Sequence, residues 1–333
     1  MENVKKHKVG VVGSGSWATA IVKILCENLE KVNWWVRSEY VKGYIQYEKH
    51  NPKYLTGIKF HTEKLNITAD INELMRNSEY VILAAPSIYL QDALSHLTED
   101  ITDKIIFSSI KGIIPEVKDV ASVYLRQEFN VKEKNIGIIT GPCHAEEIAL
   151  ERLSYLTVAT VDEEKAKNMS AWLNSRYIKT TLSDDVFGTE YAAVVKNIFA
   201  VSCGIAHGLR YGDNFQAVLL SNSIREMESF LDVVHPIRRN INNSAYLGDL
   251  LVTGCSFFSR NRMLGNMIGK GYTVHSAMLE MNMVAEGYYA AKSIWEIARS
   301  KNIKMPIAKA VYEILYEEKN PEKVFRILCN ELN

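Results

Sequence analysis

Val9-Gly-Val-Val12 is a short unbroken apolar run that stops at glycine and passes at once into a helical pattern. No other feature limits the fold as strongly. Such a run marks a strand buried on both faces of a sheet. Ala18, Ile21, Val22 and Leu25 then recur at helical spacing, which predicts a helix from Ser16 to about Asn28. The alternation continues. Strands are expected at 32–36, 80–85, 105–109 and 136–140, and helices at 87–97 and 117–129. That pattern predicts an α/β fold built on a doubly wound parallel sheet. Residues 156–160, a helix at 163–174 and residues 177–182 are expected to extend it.

The texture changes at Ser183-Asp184-Asp185, a helix N-cap signal. Helical patterns follow at 186–205, 214–231, 277–299, 307–316 and 321–330, with no clear alternating strand. Two domains are expected: 1–182, built on the sheet, and 183–333, all-helical. A chain of 333 residues, 47% hydrophobic, suffices for two cores. The 39 basic and 39 acidic residues cancel, so nothing favours nucleic acid or a membrane surface, and any anion site must be local. Cysteines at 26, 143, 203, 255 and 329 are odd in number, widely spaced and without a CxxC. That argues against a disulfide framework or zinc site and suits a reducing compartment. The first eight residues carry no apolar signal, and no window reaches the roughly 18 apolar residues of a membrane span. A cytoplasmic protein without an integral membrane segment is expected.

Between strand and helix, Gly13-Ser14-Gly15-Ser16-Trp17-Ala18 reads G-x-G-x-x-A. The first glycine permits a tight turn, and the second lets backbone approach a pyrophosphate. Ala18 takes the small position where helix packs on strand. Amides at the helix N-terminus meet the phosphate charge. Gly13, Ser14, Gly15, Ser16 and Trp17 are therefore candidate cofactor-binding residues, for NAD or NADP. Arg37 ends the second strand, where NAD-selective sites carry an acid; it suits a 2′-phosphate or a solvated loop equally. Pro86 closes the third strand at the carboxyl end that faces ligands, and also suits the first turn of a helix.

Lys111 lies just past the strand at 105–109 and can reach a substrate anion or stand on the surface. Lys196 is sharper: Val194, Val195, Ile198 and Phe199 surround it, so it points into a partly desolvated site suited to acid–base chemistry, unless it snorkels. Asn197 beside it can orient hydroxyls. Asp249 precedes Leu250-Leu251-Val252; it is either a partner of Lys196 or a helix N-cap, and Thr253 shares its helical face. Arg260-Asn261 suits a phosphate, the guanidinium bidentately, or is a basic surface loop. Glu286 in the long C-terminal helix is a cofactor candidate or an ordinary helical carboxylate. Cys143-His144 is a poor catalytic pair, because adjacent residues seldom present both side chains to one atom. No metal-ligand spacing is visible.

In order, these motifs resemble the NAD(P)-dependent glycerol-3-phosphate dehydrogenase family over nearly the whole chain. The carriers are Gly13-Ser-Gly-Ser-Trp17, Ser109-Ile-Lys111-Gly112, Gly141-Pro142 with Ala145 and Glu147, Lys196-Asn197 and Gly248-Asp249-Leu250. Thr253, Ser259-Arg260-Asn261-Arg262 and Val284-Ala-Glu286-Gly287 complete the set. The resemblance implies a Rossmann-type sheet domain, then an all-α C-terminal domain, and a homodimer. It implies interconversion of sn-glycerol 3-phosphate and dihydroxyacetone phosphate with NAD(P)(H), supplying phospholipid synthesis. By the same analogy Lys196 and Asp249 are catalytic, and Lys111, Asn197, Thr253, Arg260 and Asn261 bind substrate. Lys111, Arg260, Ala145 and Glu286 join the cofactor set. Ala18, Cys143-His144 and Phe258 depart from the usual pattern. Two rival readings stay open: a two-domain dehydrogenase of hydroxy acids, and a non-catalytic dinucleotide sensor that would not need Lys196, Asp249 and Arg260.

Overall fold

The computed structural model describes residues 8–281 and 283–333; the opening stretch read as lacking a signal lies, for residues 1–7, outside them. Strands and helices alternate through the first half: β1 (Val9–Val12), α1 (Ser16–Asn28), β2 (Val32–Trp35), α2 (Glu39–Glu48), β3 (Leu65–Thr68), α3 (Ile71–Arg76), β4 (Tyr80–Leu83), α4 (Leu90–Leu94), β5 (Ile105–Ser108), α5 (Ala121–Phe129), β6 (Ile136–Thr140), α6 (Ala145–Ala149), β7 (Ser154–Ala159), α7 (Glu163–Leu173) and β8 (Ile178–Ser183). Helices follow: α8 (Val186–Gly208), α9 (Asp213–Val234), α10 (Asp249–Cys255), α11 (Arg260–Gly269), α12 (Val274–Glu280), α13 (Glu286–Ser300), α14 (Pro306–Tyr316) and α15 (Pro321–Leu328).

The strands form one sheet in the order β3-β2-β1-β4-β5-β6-β7-β8. The chain winds outward from β1 to β3, then crosses back to β4 on the other side of β1. That reversal opens a ligand crevice at the carboxyl ends of β1 and β4. The α/β doubly wound sheet followed by helices is the expected fold. Every strand pair is parallel except β6–β7, which is antiparallel. The apolar run of β1 is buried along its whole length, and α1 buries Ala18, Ile21, Val22 and Leu25, the positions its spacing selects.

The chain condenses into two units. One holds the chain up to Ile110 with Ala121–Val186; the other holds Lys111–Val120 with Phe187–Asn333. The decapeptide 111–120 thus joins the helical unit. The helix expected at 117–129 starts only at Ala121, because Ile114 and Asp119 form an isolated antiparallel bridge instead. The helix expected at 277–299 is interrupted: α12 ends at Glu280 and α13 begins at Glu286. At 87–97 a 3₁₀ turn, Ser87–Tyr89, leads into the short α4.

In the helical unit α8 and α11 meet backbone to backbone. A Cβ on Gly204 would lie 2.1 Å from the Arg262 carbonyl oxygen, and one on Gly265 2.0 Å from that of Val201. Only glycine permits this approach. Elsewhere in the same unit Glu226 of α9, buried, accepts from the amides of Ile307 at 2.6 Å and Ala308 at 3.2 Å, capping the start of α14 from a distance. No helix among the described residues is long and apolar enough to cross a membrane.

Candidate active site

In the sheet unit, Gly13 takes φ +133, and a Cβ there would lie 2.9 Å from the Ala84 carbonyl oxygen at the end of β4. The turn therefore presses on the switch point, where only glycine fits. Gly15 is the N-cap of α1. It offers no side-chain cap, the first turn of α1 holds no acid, and a Cβ on Gly15 would meet nothing within 4 Å. The first amides of this 13-residue helix thus have neither a side-chain cap nor a first-turn carboxylate competing for them. That is the environment a pyrophosphate requires, and the residues present fit a dinucleotide. Ser14, Ser16 and Trp17 are half-buried around the turn, and the Trp17 indole nitrogen is buried without a partner.

The other cofactor candidates of this unit sit at strand ends. Arg37, exposed, lies just past β2; Ser38 caps α2 by accepting from the Val41 amide, and Glu39 pairs with Lys42 at 3.1 Å. Pro86 follows β4 and leads the 3₁₀ turn. Ala145 opens α6 after Gly141, whose φ of +116 makes the reversal beyond β6.

The candidate acid–base residues, Lys111, Lys196, Asp249 and Thr253, all lie in the helical unit. A π-helical turn, Ser244–Gly248, delivers Asp249 as the first residue of α10. Asp249 is 1% exposed. One carboxylate oxygen meets the Lys196 Nζ of α8; the other accepts from Lys111 Nζ at 3.0 Å. Lys196 Nζ also donates to Thr253 Oγ1 at 2.9 Å, and Thr253 donates to the Asp249 carbonyl at 2.6 Å. Burial alone would push the Asp249 carboxyl up, but the charges and hydrogen bonds of Lys111 and Lys196 outweigh it and hold it below the usual carboxylate range. Lys196, 4% exposed, is buried in a paired site; it does not snorkel.

Two asparagines brace this group. Asn197 donates to the Lys111 carbonyl at 2.7 Å and to the Ala193 carbonyl at 3.2 Å. Its own oxygen accepts from Asn261 Nδ2 at 2.9 Å, and the Asn261 oxygen accepts from the Gly287 amide at 2.9 Å. Tyr191 Oη donates to Asp119, so the decapeptide carrying Lys111 is fastened to α8 at both its ends. Arg260, half-buried, opens α11 behind its Ser259 N-cap, and Glu286 opens α13. Arg260-Asn261 is therefore a helix start and not a loop.

Profiles of known families match nearly the whole chain. The NAD-dependent glycerol-3-phosphate dehydrogenase N-terminus matches residues 8–166, and the corresponding C-terminus matches residues 185–326. The chain belongs to the NAD-dependent glycerol-3-phosphate dehydrogenase family. It is similar to the NAD(P)+ glycerol-3-phosphate dehydrogenase of Oceanobacillus iheyensis, at 31% identity over 97% of this chain and 94% of that one. The enzyme of that name from Macrococcus caseolyticus is 31% identical over 93% and 94%. Among solved structures, glycerol-3-phosphate dehydrogenase from Coxiella burnetii superposes with a TM-score of 0.89 at 26% identity, covering 97% of this chain and 99% of that one.

Membership makes the chain an NAD(P)-dependent oxidoreductase with a Rossmann-type dinucleotide-binding unit. Its departures from the family pattern are local. Ala18 is fully buried, as a small residue must be where helix meets strand. The Cys143 thiol donates to the Gly141 carbonyl at 3.2 Å, while His144 supplies the backbone N-cap of α6. Phe258 is 47% exposed, and the neighbouring Phe257 ring lies 5.2 Å from the Arg262 guanidinium.

Proposed function

We propose that the chain interconverts sn-glycerol 3-phosphate and dihydroxyacetone phosphate, with Lys196 moving the proton at the C2 oxygen. One observation carries this reading. The buried Lys196 ammonium is held between the Thr253 hydroxyl and an Asp249 carboxylate that also takes Lys111, which fixes a proton donor in place in a site almost without water. In the reducing direction negative charge grows on the C2 oxygen. Lys196 stabilises it and donates the proton, a role worth about 10²- to 10⁴-fold. Asp249 keeps Lys196 charged until then, and Lys111 shares the same carboxylate.

Arg260, Asn261 and Lys111 are read as the phosphate clamp, with Asn197 and Thr253 holding the surrounding geometry. Clamping the remote phosphate fixes the reacting carbon and supplies binding energy to it. Gly13, Ser14, Gly15, Ser16, Trp17, Arg37, Pro86, Lys111, Ala145, Arg260 and Glu286 are read as the cofactor set. The bound nicotinamide supplies or accepts the hydride. A cytoplasmic homodimer supplying glycerol 3-phosphate for phospholipid synthesis completes the proposal.

The test is oxidation of NADH and of NADPH with dihydroxyacetone phosphate, beside 2-oxo acids, on the parent and Lys196→Ala. Parent activity on the phosphorylated ketone should exceed that on 2-oxo acids, and the variant should lose at least about 10²-fold in turnover. A folded variant within a few-fold of the parent removes Lys196 as the acid. Preference for a 2-oxo acid overturns the substrate.

A further inference from the structure

The dinucleotide turn is held from behind. Three successive carbonyls each accept from a donor inside the sheet unit. Gly13 O accepts from Trp34 Nε1 at 2.7 Å. Ser14 O accepts from Asn51 Nδ2 at 3.0 Å. Gly15 O accepts from Thr19 Oγ1 at 2.8 Å and from the Thr19 amide at 3.0 Å.

A trans peptide is planar, with its carbonyl and the next amide pointing to opposite sides. Tying back the carbonyls of Gly13, Ser14 and Gly15 therefore aims the amides of Ser14, Gly15 and Ser16 away from those donors, as a set. Successive amides aimed one way make an anion-binding concavity. A carbonyl free to swing would present the wrong charge to a phosphate and add an ordering cost to binding.

Asn51 ties this arrangement together. It is 1% exposed and belongs to no helix or strand. Its amide also donates to Thr19 Oγ1 at 3.0 Å, and its oxygen accepts from the amides of Lys53 at 2.9 Å and Tyr54 at 3.0 Å. One side chain thus joins the 51–54 loop to the second carbonyl of the turn and to the hydroxyl that holds the third. We propose that Asn51 is a positioning residue for the cofactor, setting the amides of the Gly13–Ser16 turn through Ser14 O and Thr19 Oγ1. The inference rests on reading that turn as the dinucleotide site.

The test is the Kd for NADH and NADPH, read by quenching of intrinsic tryptophan fluorescence, on the parent, Asn51→Asp, Thr19→Val and Gly15→Val. Aspartate keeps the two acceptor bonds to Lys53 and Tyr54 but replaces the donor facing Ser14 O. Both cofactors should bind Asn51→Asp about tenfold more weakly, the scale of one unsatisfied buried hydrogen bond. Thr19→Val, isosteric and fully buried, should weaken binding several-fold. In kinetics the loss should appear in KM for the cofactor and leave KM for dihydroxyacetone phosphate in place. Parent affinity in a folded Asn51→Asp, with Gly15→Val defective, overturns the role of Asn51 alone. Parent affinity in Gly15→Val removes the turn as the site, and the inference with it. An Asn51→Asp chain that fails to fold even with saturating NADH makes the residue structural and overturns the proposal too.

Discussion

Asp249 receives the ammonium of Lys196 across 53 residues of chain, inside a site from which both are almost wholly excluded from water. Two helices meet at this bond, and the ordinary cost of burying a lone charge is offset by the partner charge and by Thr253. The pairing holds the Lys196 ammonium in a defined direction between Asp249 and Thr253.

Asp249→Asn should therefore move the pH dependence of dihydroxyacetone phosphate reduction. Losing the negative charge disfavours the ammonium, so the falling alkaline limb should shift to lower pH. The carboxyl is held below its ordinary range, so its ionisation contributes stability that is complete above that range and lost as pH falls through it. The variant should lack that acid-side loss. A pH–rate profile that superposes on the parent's removes Asp249 from control of Lys196.

Arg260→Lys should be impaired on dihydroxyacetone phosphate, since an ammonium cannot reproduce a planar two-point contact. One charged hydrogen bond is worth about 1.5–3 kcal/mol, or roughly 10- to 150-fold in kcat/KM. The defect should shrink on dihydroxyacetone, which has no phosphate. An equal fold-loss on both substrates would assign the phosphate contact to another residue.

Gly265→Ala should destabilise the helical unit by about 1–3 kcal/mol or more, the cost of overpacking. The added methyl would lie 2.0 Å from the Val201 carbonyl oxygen. Because α11 carries Asn261 against Asn197, turnover should fall as well. Gly212→Ala, with nothing within 4 Å, is the matched control. Equal denaturation midpoints for the two variants would contradict the close packing of α8 on α11.

Glu226 makes stability fall with rising pH. Burial pushes its carboxyl up to about 8, against the opposing pull of the Ile307 and Ala308 amides. Between an ordinary value of 4.5 and about 8, the unfolded chain releases a proton that the folded chain keeps. Stability from this group is thus full below 4.5 and declines up to about 8. Glu226→Gln should remove that slope while keeping an acceptor for the Ile307 amide. Thermal melts of both proteins across that window check it; parallel Tm profiles would mean that Glu226 does not titrate there.

Much of the molecule was legible in its sequence because the relevant signals are local. Val9–Val12, the glycines at 13 and 15 and the spacing of Ala18, Ile21, Val22 and Leu25 specify strand, turn and helix within twenty residues, and β-α alternation then leaves few topologies. The order of the Lys111, Lys196, Asp249 and Arg260 motifs pointed to the family for the same reason. Other elements carry weaker patterns. β3, α2, α3, α6 and α11 are short or mostly polar and went unread, and the break between α12 and α13 lies within a helical pattern that spans it.

Tertiary structure alone decided which distant groups meet. Lys111 follows a strand of the sheet unit, yet packs with the helical unit and shares the Asp249 carboxylate with Lys196. Trp34 and Asn51 hold carbonyls of a turn 21 and 37 residues away. Gly204 and Gly265 look like ordinary helix interruptions until two backbones are brought into contact. Periodicity reports which face of an element is buried. It does not report what lies against that face, because that partner is selected by packing and hydrogen bonding between segments far apart in the chain.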